Sequence, residues 1–167
     1  LQKWDFFKEC VQLLHDKDEK NIDIVYFRAV QALREKNFTF AQKCIDKARE
    51  MIDNELIALI GESYGRSYDA IIKAQQLSEM EEIIYLSKNP QRKDHFKELW
   101  NKRLVGCQKN IAHWQRVLSL RTLSIPPDEL LNNFLAFSKL CRKANKISTT
   151  MSMLCNLFSC KNPMNKE

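Results

Sequence analysis

FTFAQKCIDKARE, residues 38–50, is the stretch on which the fold turns. Phe38, Ala41, Ile45, Ala48 and, just beyond, Ile52 recur at spacings of three and four, so they share one helical face. That face carries two alanines where a buried stripe ordinarily carries leucine. Small side chains on a buried face imply that a second helix axis comes close, since interaxial distance is set by the side chains at the contact.

Working outward, the same periodicity fills the chain. WDFFKECVQLLH sets Trp4, Phe7, Val11 and Leu14 on a stripe, and the polar run DKDEKN, residues 16–21, ends it. IDIVYFRAVQALRE aligns Ile22, Tyr26, Ala29 and Leu33, with a break at Lys36-Asn37. Asn37, or Thr39 with Gln42 as a capping box, starts the next helix. A longer helix is expected from Glu55 to Leu77, with Leu56, Ile60, Ser63, Ser67, Ile71 and Ala74 inward and Gly61 and Gly65 in its middle. Each glycine there costs about 1 kcal/mol against alanine, which points to close approach of a neighbour. Ser78 with Glu81 has capping-box spacing and predicts a new helix over LSEMEEIIYL, ended by Asn89-Pro90.

Further on, Phe96, Leu99, Trp100 and Leu104 face inward, followed by Ile111, Trp114 and Leu118 on a stripe that Arg121 breaks. Ile125-Pro126-Pro127 is a stop and a start, with Asp128 and Glu129 suited to a helix N-terminus. Leu130, Phe134, Phe137 and Cys141 form the next stripe, and Ile147, Met151, Leu154 and Phe158 the last. Seven or eight helices in antiparallel pairs, with no competing strand pattern, predict an all-α chain.

Composition agrees. Hydrophobic residues make up 44% and charged residues 29% of 167, a globular balance. Three glycines and four prolines are too few for a turn-rich sandwich or barrel, and Gly61, Gly65 and Gly106 form no phosphate-cradling loop. The formal charge is +6, with basic residues read as scattered among acids and densest at Lys88, Arg92, Lys93, His95 and Lys97. No zinc-finger spacing or aromatic RNA-binding motif accompanies them, so they read as a solvated face and no nucleic-acid partner is expected. Six cysteines without a CxxC pair read as reduced thiols of a cytosolic or nuclear protein, with no metal site. Neither a signal peptide nor a run approaching a membrane span is present, and no membrane insertion is expected. Opening at Leu1 without methionine, the chain is expected to be part of something longer.

The alanines have a specific explanation in a tetratricopeptide (TPR)-type hairpin. That pattern puts a small residue mid-way along its first helix and further small residues twelve and nineteen positions later. Ala29, Ala41 and Ala48 fit, and Phe38 stands where an aromatic opens the second helix. The other hairpins are degenerate, with Thr150 and Leu157 at the later small positions of the last one. The expected fold class is thus all-α, an α-solenoid of TPR-like antiparallel helical hairpins, with an ordinary helical bundle as the alternative.

Three stretches go beyond a generic repeat: AQKCIDKAREMIDNEL (41–56), GESYGRSYDAIIKAQQLSEMEEII (61–84) and KRLVGCQKNIAHWQRVLSLRTL (102–123). GESY followed by LSEMEEII, then GCQ and WQRVL, resembles the middle part of the FAT domain of the target-of-rapamycin (TOR) kinases, of the phosphatidylinositol-3-kinase-related kinase family. Met80, where leucine is common, the loop SIPPDEL (124–130) and the asparagine and lysine richness depart from the family pattern. The resemblance implies that residues 1–167 are part of a FAT domain without a kinase domain of their own. Such a domain clamps the parent's C-terminal Ser/Thr kinase domain, the part that takes ATP and Mg. Implied partners are that kinase domain, neighbouring helical repeats and regulatory subunits of a TOR complex, in the cytoplasm, with endomembranes and the nucleus open to the parent.

No catalytic or cofactor-binding residue is expected in the chain itself. The strand lysine, base aspartate and metal-binding residues of a kinase have no counterpart motif, and His15, His95 and His113 fall on different helices or helix ends. Tyr64 and Tyr68 read as packing residues. The residues expected to matter are structural: Ala29, Phe38, Ala41, Ala48, Gly61, Gly65, Trp100 and Trp114. A free-standing TPR-like adaptor, offering Arg28, Asn132 and Asn133 to a peptide, is the alternative function.

Overall fold

The computed structural model describes residues 2–13, 21–60 and 64–152, and every regular element among them is helical. The chain divides into two compact units, Leu1–Lys88 and Asn89–Glu167.

The first unit holds α1 (Gln2–Leu13), α2 (Ile22–Arg34), α3 (Phe38–Ile60) and α4 (Tyr64–Lys88). Asn21 starts α2 by accepting the Asp23 amide on its side chain at 2.9 Å, and Asp23 and Arg34 complement the two ends of the helix dipole. The reversal into α3 takes three residues. The Lys36 amide donates to Leu33 O (3.1 Å) and the Asn37 amide to Ala32 O (2.9 Å), the bond pair of a Schellman motif. Lys36 occupies the left-handed position, φ 59°, that glycine usually fills. Of the two starts expected for α3, Asn37 is the one used: its Oδ1 accepts the Phe40 amide (3.2 Å) and the Thr39 hydroxyl (3.1 Å).

Two helix boundaries differ from expectation. The helix expected from Glu55 to Leu77 is the tail of α3 and the head of α4, because α3 continues unbroken to Ile60 and α4 begins at Tyr64. The helix expected to start at Ser78 does not: α4 runs through it to Lys88. Ser78 Oγ bonds back to Ala74 O (3.2 Å), a hydrogen bond that a helix interior allows, and Glu81 is held by α3 instead. Ile71 is partly exposed (37%), off the buried stripe. α4 buries residues around much of its circumference, Ala70, Ile72, Leu77, Met80 and Ile83 among them, so no single stripe describes it.

The second unit holds α5 (Lys93–Gly106), α6 (Ile111–Arg121) and α7 (Leu131–Lys143), with 3-10 turns at Pro90–Arg92 and Pro127–Leu130. Asn110 Oδ1 caps α6 by accepting the Ala112 (2.9 Å) and His113 (3.4 Å) amides. Lys97 reaches Glu129 and Asn133 donates to Asn101, both pairs 32 positions apart, so α5 and α7 run in the same direction with α6 returning between them. α7 ends as α2 does: Asn145, φ 56°, takes the left-handed position, the Lys146 amide donates to Cys141 O (2.9 Å), and helical backbone resumes at 147–152.

Candidate functional site

The feature that sets the first unit apart is its alanines. Ala29 and Ala32 on α2, Ala41 and Ala48 on α3, and Ala70 on α4 are all buried, with Ala29 and Ala41 at 0% exposure. α2 packs along α3, and α3 along α4. Around them lie Val25, Leu33, Ile45 and Ile52, so the small positions alternate with branched side chains that fill the flanks. Phe38, expected to be a buried aromatic, is only half-buried at the helix start. Its ring therefore contributes less than a core phenylalanine would.

Polar bridges fix the register of these helices. Arg49 on α3 meets Glu81 on α4 at 2.7 Å, and Gln42 adds a longer contact to the same carboxylate at 3.5 Å. Lys73 on α4 pairs with Asp23 on α2 at 3.1 Å. Both ion pairs are partly exposed, so each contributes modestly. Deeper in α4, Glu79 is fully buried, and the Gln75 amide donates to its carboxylate at 3.2 Å. On α1, Phe7 stacks edge-on against Phe27 of α2, and the Arg34 guanidinium lies 4.1 Å from the Trp4 ring centre. Lys8 holds the Glu35 carboxyl below the usual range through a 3.0 Å ion pair.

Gly65 is the second residue of α4, not mid-helix as expected. Gly61 lies outside the described residues, as does the side chain of Tyr64. Tyr68 is buried.

The second unit is built from large side chains. Trp100, Leu118 and Phe137 are completely buried, with Trp114, Phe134 and Leu130 close behind. The Trp114 indole N–H donates to Gln108 O at 3.1 Å, tying α6 to the turn before it. Arg121, which reads in the sequence as a break in an apolar stripe, is wholly buried, with its guanidinium 5.6 Å from the Trp100 ring centre. Its carbonyl accepts the Ser124 and Ile125 amides, which folds the chain back toward Pro126. Sequence reasoning missed this residue. The available signal was its place on the stripe, three residues after Leu118.

Of the dense basic cluster, Lys93 and Lys97 both bind Glu129 and hold its carboxyl below the usual range, while Lys88, Arg92 and His95 stay exposed. Burial pushes the Cys44 and Cys141 thiols up. Among the described residues, no three His, Cys, Asp or Glu side chains converge as a metal site, and no helix is long and apolar enough to cross a membrane.

Comparison with known proteins places this geometry. The family model described as the FAT domain matches residues 1–167. The chain is 38% identical over 161 residues to Serine/threonine-protein kinase TOR2 of Saccharomyces cerevisiae, covering 95% of the chain and 6% of that protein. It is 36% identical over 159 residues to the Target of rapamycin homolog of Caenorhabditis elegans, and 34% identical over 158 residues to Serine/threonine-protein kinase mTor of Drosophila melanogaster, with the same coverage. The chain thus spans about 6% of the length of these curated relatives.

Proposed function

The chain belongs to the FAT domain family, with target-of-rapamycin kinases as its relatives, and from that premise we propose that it is a non-catalytic scaffold segment of a TOR protein kinase. Its helices clamp the parent's C-terminal Ser/Thr kinase domain, and its outer faces carry regulatory subunits in growth and nutrient signalling. The parent acts in the cytoplasm and takes ATP and Mg at its kinase domain, away from this segment. The observation that carries the reading is the family match over the whole chain, joined to a hairpin whose alanines are fully buried. A rigid hairpin transmits displacement instead of absorbing it, because close-packed interiors have low compressibility. Ala29, Ala41 and Ala48, with Trp100 and Trp114 in the second unit, are the residues proposed to set that stiffness.

The test is Ala41→Leu in the full-length parent kinase. Overpacking by about 1–3 kcal/mol loosens the clamp. Basal kinase activity rises. Unchanged activity in a variant shown by thermal unfolding to be destabilised refutes the clamp.

The free-standing adaptor reading has less support. Of its proposed peptide contacts, Asn133 is already engaged, donating to Asn101 at 2.7 Å. The reading frame downstream of Glu167 separates the two: a kinase domain there supports the segment, and a stop codon supports the adaptor.

A further inference from the structure

Charge is divided unevenly between the two units. Residues 1–88 carry 13 Lys and Arg against 16 Asp and Glu, whereas residues 89–167 carry 14 against five. Scattering of bases among acids, the expectation from sequence, holds for the first unit and fails for the second. From Leu99 to Lys166 the only acids are Asp128 and Glu129, and Glu129 is occupied by Lys93 and Lys97.

The topology of the second unit gathers its described acids toward one end, where Lys93 and Lys97 already answer Glu129. α5 and α7 run in parallel, so their C-termini and the turn leading into α6 lie at one end. The described acids lie toward the other: Asp94 in the first turn of α5, Glu98 taken up by Lys102, and Asp128 and Glu129 in the 3-10 turn before α7. At the basic end stand Lys109 in the α5–α6 turn, Arg142 and Lys143 in the last turn of α7, and Lys146 in the turn after it, all exposed. Complementing the α7 dipole accounts for Arg142 and Lys143 in part. Lys109 sits between the C-terminus of α5, whose dipole favours a cation, and the start of α6, whose dipole disfavours one, so the dipoles leave its place largely unexplained. Two apolar side chains stand exposed at the same end, Val105 at 79% and Ile147 at 61%.

We infer that this end of the second unit docks an acidic protein segment in which carboxylates alternate with aliphatic side chains. The inference rests on the reading of the chain as a partner-bearing segment and names the chemistry of one partner. Carboxylates answer the four cations, and aliphatic groups answer Val105 and Ile147. A nucleic acid is a poorer fit, because stacking platforms for bases are aromatic and, among the described residues, the large exposed aromatics Phe6, Phe27, Phe40 and Tyr85 all belong to the first unit. A membrane surface is a poorer fit for the same reason, since interfacial anchoring favours tryptophan and phenylalanine beside the bases.

The experiment uses the full-length parent kinase and a fluorescein-labelled peptide of alternating glutamate and leucine, read by anisotropy. The wild-type protein is expected to bind the peptide, less tightly as salt rises. The combined variant Lys109→Glu, Arg142→Glu, Lys143→Glu, Lys146→Glu is expected to weaken binding on the order of tenfold or more at an unchanged melting temperature. Should the reversal unfold the segment, the neutral pair Lys109→Gln and Lys146→Gln, expected to bind more weakly with a reduced salt slope, serves instead. Equal affinity in wild type and folded variants overturns the inference. So does tighter binding of oligouridylate or of phosphatidylserine vesicles through the same residues. Failure of the clamp is read separately, as unchanged basal activity in Ala41→Leu, and leaves the anisotropy result untouched.

Discussion

The first unit buries five alanines among the described residues, and the second buries none. In their place the second unit buries Trp100, Trp114, Phe134 and Phe137, with Arg121 against the largest of them. Both are helical and both belong to one family match, so the difference lies in how the space between axes is filled. Where side chains are minimal, backbones approach and added volume has nowhere to go. Where rings fill the gap, removed volume leaves a hole. The two units should therefore fail under opposite substitutions.

The largest effect is expected in the aromatic unit. Trp100→Ala removes a fully buried indole and the ring beneath the Arg121 guanidinium, at a cost of about 3–5 kcal/mol. Thermal unfolding checks it; a loss under about 1 kcal/mol would mean that the site collapses freely and that the contrast between units is false. Next comes Ala48→Leu in the alanine unit, expected to destabilise by about 1–3 kcal/mol through overpacking, although leucine is an excellent helix former. A neutral or stabilising result would break the comparison from the other side.

The smallest effect sharpens the electrostatic half of the contrast. Glu129 has its carboxyl lowered from the ordinary 4.5 by hydrogen bonds from Lys93 and then Lys97. A carboxyl lowered on folding stabilises at pH above its ordinary value, and that contribution is lost as pH falls through the lowered one. Glu129→Gln should therefore lower the melting temperature slightly at neutral pH and leave it equal to wild type once the medium is acidic enough to protonate the carboxyl in the folded chain. An equal gap at both pH values would remove the ion pairs from the account.

These contrasts were unevenly legible in the sequence. The α2–α3 hairpin was legible because Ala29, Ala41 and Ala48 obey a fixed spacing, although Ile22, Tyr26 and Phe38, read on the same stripes, are only partly buried while Ile24 and Val25 are buried. α4 was misread because it is buried on several sides: polar Gln76 and Glu79 are as inaccessible as Leu77 and Met80, so periodicity had no single face to report. Ser78 and Glu81 imitated a helix start, since the residue types that cap a helix also serve within one when their side chains bond back or across. Arg121 looked like an interruption because a lone cation on an apolar stripe announces burial only once its aromatic neighbour, 21 positions earlier in the chain, is known. The polarity of the second unit needed topology too, because the order of helices decides which charges gather at one end.

The turns at Lys36 and Asn145 carry a last consequence. Each ends one helix and starts the next within three residues, through hydrogen bonds that leave no loose linker. A torque applied to α2 about its own axis is expected to pass through so short a connection into α3. A hairpin joined this way answers twisting as a single stiff lever, and a longer, glycine-rich joint would turn the same two helices into a slack hinge.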